Sequence, residues 1–191
     1  QTSSRKGARI MKKIFIAFCL TFVASVSFAA GGNVHLDPFE PDLDDEASLQ
    51  RGAKLFVNYC LGCHQMKYQR YERTAQDIGI PVDIALEQLI FDDTKIGSHM
   101  LNALPDEHAK KWFGAPVPDL TLETRLRGGA DWVYTYLRSF YVDPSRPLGW
   151  NNITFKDVGM PNVLAELQGV TKRCKMVPGI AENGGIMRDP V

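Results

Sequence analysis

The stretch Tyr59–Gln69, YCLGCHQMKYQ, decides how this chain is read. Cys60 and Cys63 stand three apart, and His64 follows the second directly. The 191 residues hold only four cysteines and four histidines, so their concentration here points to one shared task. Three chemistries use a C-x-x-C spacing. A structural zinc site needs four ligands, usually from two such knuckles, and no second C-x-x-C occurs. A thioredoxin-like redox pair follows a strand in a parallel-sheet context, which the flanking sequence does not offer. The third is covalent attachment of a c-type haem: two thiols add to two vinyl groups, and the imidazole of the next residue ligates iron.

The sequence upstream favours the third. Residues 11–29, MKKIFIAFCLTFVASVSFA, set Lys12 and Lys13 before an apolar run of about fifteen residues and end on small residues, Ser27 and Ala29. This is the pattern of an export signal peptide, cleaved near Ala29 or Ala30. The rival, an N-terminal membrane anchor, is disfavoured because the run is short for ~30 Å of hydrocarbon. Residues 1–10 read as an upstream extension or artefact, leaving 30–191 as the working protein with Cys60, Cys63 and Cys174. Export into an oxidising compartment makes an odd cysteine count hard to explain by disulfides alone. Haem attachment, which takes place outside the cytoplasm, uses two of the three. Cys60 and Cys63 then tether one haem c, and His64 is its proximal ligand.

Charge excludes one class of partner. Basic and acidic residues cancel over the whole chain, at 22 each, but residues 1–29 carry five basic residues and no acid. The remainder has a net charge of −5 and lacks the basic footprint that nucleic acid requires. Its lead-in, HLDPFEPDLDDE over 35–46, is rich in acids. It reads as a solvated segment or as an electrostatic landing strip for a basic partner.

A sixth ligand decides what a haem does: methionine opposite histidine raises the potential and closes the iron to substrates. Met66 is too near His64 to reach the opposite face, and Met100 reads equally well as core filler. Met160, in VGMPNV, sits between Gly159 and Pro161, in a rigid loop that permits close backbone approach. It is the preferred ligand, with His99 and His108 as bis-histidine rivals. Arg125 and Arg127 are candidates for a propionate. Trp112, Trp132 and Tyr136 are candidates to pack on a porphyrin.

Periodicity is mostly helical. Asp45 is placed to cap a helix with Leu49, Ala53, Phe56, Val57 and Cys60 on one apolar face. A second helix is expected over Ile80–Phe91, with Pro81 in its first turn. A third is expected after Gly128-Gly129, capped by Asp131 and carrying Trp132, Tyr136, Ser139 and Phe140 on one face, with a strand as the rival for this aromatic segment. Residues 110–118, 143–163 and the tail 177–191 read as irregular, and no internal repeat is present.

Three stretches and their order over residues 45–165 together carry a family resemblance: SLQRGAKLFVNYCLGCH, GAPVPDLTLETRLRGGADWVYTYLRSFY and GMPNV. The chain resembles cytochrome c1, the c-type haem subunit of quinol–cytochrome c oxidoreductase (respiratory complex III), in its proteobacterial form. The resemblance implies a mostly α cytochrome c fold with long loops around one covalently bound haem. It implies axial ligands His64 and Met160, a propionate contact from Arg127, and haem packing by Pro118 and Trp132. It also implies an electron taken from the Rieske iron–sulfur protein and passed to a cytochrome c, with cytochrome b as neighbour. The expected location is the periplasmic face of the bacterial inner membrane. The family continues into a further helix and a C-terminal membrane anchor, so the sequence is expected to be truncated before both, and the pairing of Cys174 stays open. No independent catalysis is expected. The alternatives are a free periplasmic c-type cytochrome and, less favoured, a haem enzyme with an open iron position.

Overall fold

The computed structural model describes residues 34–126, 128–173 and, as backbone, 186–189. Among them are six α-helices, and the strands are short and paired two by two. The expected export signal, Arg127 and Cys174 lie outside the described residues.

Helix α1 (Glu46–Leu55) starts where Asp45 predicts: the Asp45 side chain accepts from the Ser48 N–H, satisfying a donor the helix would leave unpaired. The expected single helix to Cys60 changes register. Phe56–Cys60 form a π-turn, which adds a residue to the turn just before the cysteine pair. Strand β1 (Met66–Arg70) leads into α2 (Tyr71–Asp77). Helix α3 (Val82–Leu89) follows Pro81, inside the expected Ile80–Phe91. Strand β2 (His99–Met100) pairs antiparallel with β1. These elements enclose an apolar core of Val57, Tyr71, Ala75, Ala85, Leu89, Ile90 and Met100, flanked by Ala53, Phe56, Leu61 and Met66. Each of its larger aliphatic side chains contributes about 2 kcal/mol on burial.

Helix α4 (Asp106–Phe113) corrects the loop expected over 110–118. Lys110–Phe113 complete its last turn, and the irregular chain begins only at Gly114. The Gly and Pro residues that suggested a loop all lie after the helix, so their signal was read four residues too early. A 3-10 turn (Glu123–Arg125) precedes α5 (Gly129–Arg138). The cap of α5 is also corrected. Gly128 and Gly129 have φ of 100° and 80°, a left-handed entry that glycine adopts at little cost. Asp131 lies inside the helix, where its carboxylate accepts from the Phe39 N–H at 2.8 Å.

The expected third helix stops at Arg138, and Phe140, placed on its face from the sequence, begins strand β3 (Phe140–Val142), which pairs antiparallel with β4 (Trp150–Asn152) from the stretch expected to be irregular. The β-signal is only three residues long on each side. Helix α6 (Ala165–Gln168) and β5 (Val170–Arg173) follow, and β5 pairs antiparallel with β6 (Ile186–Asp189) in the expected irregular tail. No helix among the described residues is long and apolar enough to cross a membrane.

Candidate haem-attachment site

The cysteine pair sits on a tight turn. The N–H groups of Cys63 and His64 both donate to the Cys60 carbonyl, at 3.0 and 2.8 Å. Asn102 Nδ2 donates to the Leu61 carbonyl at 3.0 Å and braces the residues between the thiols. Both thiols are free. Burial, and secondarily the neighbouring Cys63, push the Cys60 thiol up from its ordinary pKa, so it stays protonated at neutral pH.

His64 is oriented by one hydrogen bond. Its Nδ1 lies 2.9 Å from the Pro118 carbonyl oxygen. A carbonyl only accepts, so Nδ1 carries the proton and Nε2 keeps its lone pair. Burial holds the imidazole below its usual pKa, against the opposing effects of the Pro118 bond and the Glu123 charge. The result is a neutral imidazole with a fixed tautomer, the state in which histidine binds a metal.

A second segment is strapped to the motif. Leu120 N–H donates to the Gln65 carbonyl at 2.8 Å, and the Asp119 carboxylate accepts from the N–H groups of Lys67 and Thr121. Burial would raise the Asp119 pKa, but these hydrogen bonds and the Lys67 charge outweigh it and lower it. Pro118-Asp119-Leu120-Thr121 thus holds the carbonyl that orients His64.

Met160 is half-buried and receives a hydrogen bond from the Tyr136 hydroxyl to its Sδ, at 3.3 Å. Tyr136 stacks on Trp132, with ring centroids 4.9 Å apart and planes 9° from parallel. The loop is placed by Gly159, where an added Cβ would stand 2.3 Å from the Phe113 carbonyl oxygen. No side chain fits there, so Gly159 is required for space. From Phe113 the chain runs five residues to Pro118, a reach of at most about 18 Å fully extended. One short connection therefore ties the Met160 loop at one end and His64 at the other.

The other candidates separate clearly. Met100 is 3% exposed in the apolar core, with Thr74 Oγ1 donating to its sulfur at 3.6 Å, and is filler. His108 is exposed on α4 beside Trp112, which is itself 56% exposed. His99 pairs with Arg70 across β1–β2. Arg125 is exposed. Among the described residues no group of three His, Cys, Asp or Glu side chains could hold a metal ion. The cysteine pair follows a helix and a π-turn, a context foreign to thioredoxin-like folds.

Sequence reasoning missed what holds the Met160 loop. Asn152, 1% exposed, donates through Nδ2 to the Tyr136 carbonyl, and its Oδ1 accepts from Ser139 Oγ, Thr154 N–H and Phe155 N–H. Asn151 Oδ1 accepts from the Asp157 N–H, and Arg146 Nη2 donates to the carbonyls of Asp157 and Val158. The only signal was an Asn-Asn pair in a long loop, which surface turns share.

No protein-family model matches the chain. It is 53% identical over 160 residues, 83% of its length, to cytochrome c1 from Allochromatium vinosum. Over most of its length the chain is thus similar to a cytochrome c1. It is also 44% identical over 155 residues, 81% of its length, to a protein of Nitrosomonas europaea named ammonia monooxygenase gamma subunit. In both cases the chain spans 65% of the relative's length. Similarity to a cytochrome c1 at 53% identity implies one covalently bound haem c. The two free thiols, the neutral imidazole with a free Nε2 and the thioether loop are the donor set such a group needs.

Proposed function

We propose that this chain is the haem-bearing electron-transfer subunit of a quinol–cytochrome c oxidoreductase. It takes one electron from a Rieske iron–sulfur protein and passes it to a cytochrome c, beside cytochrome b. The observation that carries the reading is His64 held as a neutral ligand by Pro118, on the turn that presents Cys60 and Cys63. Cys60 and Cys63 hold the haem through thioether bonds, and His64 and Met160 are its axial ligands. Arg127 meets a propionate, and Pro118 and Trp132 pack against the ring. Pro118 also orients His64 through its carbonyl. The haem supplies one-electron chemistry, and this chain supplies ligands, burial and orientation, the levers that set a potential. With both axial positions filled by protein, the iron has no open site for a substrate, which disfavours a haem enzyme. The protein works at the periplasmic face of the inner membrane, after export directed by residues 11–29.

The test is a redox titration with optical spectra of the haem-loaded protein and its Met160→Leu variant. The wild type should show the weak red charge-transfer band of methionine-ligated ferric haem and a high potential. The variant should lose both. A wild type without the band that binds carbon monoxide readily would overturn the closed-iron reading. A free periplasmic cytochrome is distinguished by co-purification: the proposed subunit travels with cytochrome b and the Rieske protein, and a free carrier travels alone.

A further inference from the structure

We propose that the Tyr136 hydroxyl is a positioning residue for the Met160 sulfur and drains electron density from it. The proposal rests on Met160 as an axial ligand. A thioether sulfur has two lone pairs, and a metal bond uses one. The Tyr136 O–H points at Sδ from 3.3 Å, within range for a hydrogen bond to sulfur, and occupies the other. This fixes which lone pair faces away from α5. The positive end of the O–H dipole beside the sulfur disfavours the oxidised, more positive iron relative to the reduced one, so the contact raises the potential.

The hydroxyl is itself held firmly. The Tyr136 ring stacks on Trp132 and meets Phe140 edge-on at 5.1 Å, and its main-chain carbonyl accepts from Asn152 Nδ2 at 2.8 Å. Ring and backbone are thus fixed from three sides, and little of the donor's freedom remains to be lost when the bond forms. The sulfur is fixed from its own side by Gly159 against Phe113. Donor and acceptor belong to elements 24 residues apart and meet only through the fold.

Tyr136→Phe keeps the ring stack and removes only the donor. In the haem-loaded protein this variant should lower the midpoint potential and shift the methionine charge-transfer band. Complete loss of that band on removing one hydroxyl would support the positioning role equally. Site-specific replacement of Tyr136 by a ring-fluorinated tyrosine, a stronger donor, should move the potential the opposite way, and it keeps the test alive if Tyr136→Phe does not fold. An unchanged potential and band in either folded variant would overturn the proposal while leaving Met160 as ligand. A wild type without the band would instead remove the ligand reading on which the proposal stands.

Discussion

The two halves of the site are built from different materials. The half that carries Cys60, Cys63 and His64 rests on an apolar core, Val57, Tyr71, Ala75, Leu89 and Met100 among its members. The half that carries Met160 sets buried polar side chains among its apolar ones: Ser139, Asn151, Asn152 and Thr171, all under 7% exposed, lie alongside buried Phe140, Tyr141 and Val158. The difference follows from what each half must specify. In the first, the spacing of the motif sets the geometry, and packing only has to hold a turn already closed by two bonds to the Cys60 carbonyl. In the second, an irregular loop must be placed at one distance from a distant histidine. Apolar contact is non-directional and cannot do that alone, whereas buried hydrogen bonds are directional and costly to break.

The largest expected effect lies in the first half. Replacing Cys60 and Cys63 together by alanine should abolish covalent haem, read as loss of haem staining after denaturing electrophoresis. The comparison itself is tested by one truncation in each core. Leu89→Ala, from a side chain 2% exposed, should cost about 3 kcal/mol and leave the methionine band intact in the folded protein. Asn152→Ala should cost a similar amount, about 3 kcal/mol, by stranding the groups it satisfies, and should also weaken the band. If the two variants affect the band alike, the division of labour between the cores is wrong.

Smaller effects sharpen the picture. Gly159→Ala forces a Cβ onto the Phe113 carbonyl and should cost about 1–3 kcal/mol with partial loss of the band. Asp119 gives a pH test. Its folded pKa is lowered, so its stabilisation is complete above the ordinary aspartate range and disappears as pH falls through the lowered value. Urea unfolding of wild type should weaken on acidification through that window, and Asp119→Asn should flatten the dependence. The smallest effect is expected from His99→Ala and His108→Ala, which should leave spectrum and potential unchanged. A lost band in either would reinstate a histidine as the sixth ligand.

The legibility of the chain follows the same division. Asp45, Pro81 and the apolar spacing of α1 and α3 place helices correctly because capping and periodicity act within a few residues. The Lys110–Phe113 turn was misread because punctuation by Gly and Pro marks the end of a helix as readily as a loop. The β3–β4 hairpin was missed because three-residue strands carry too little pattern to show.

The candidate chemistry is legible in short stretches: C-x-x-C-H is a local motif whose spacing limits what it can bind, and Gly159-Met160-Pro161 reads as a rigid loop. Long-range packing supplies the rest. It buried Met100 in the core, set the Pro118 carbonyl on His64 Nδ1 across 54 residues, and brought the Tyr136 hydroxyl to the Met160 sulfur. These are contacts between segments far apart in the chain, where no short-range spacing constrains the partner and the packing of whole elements chooses it.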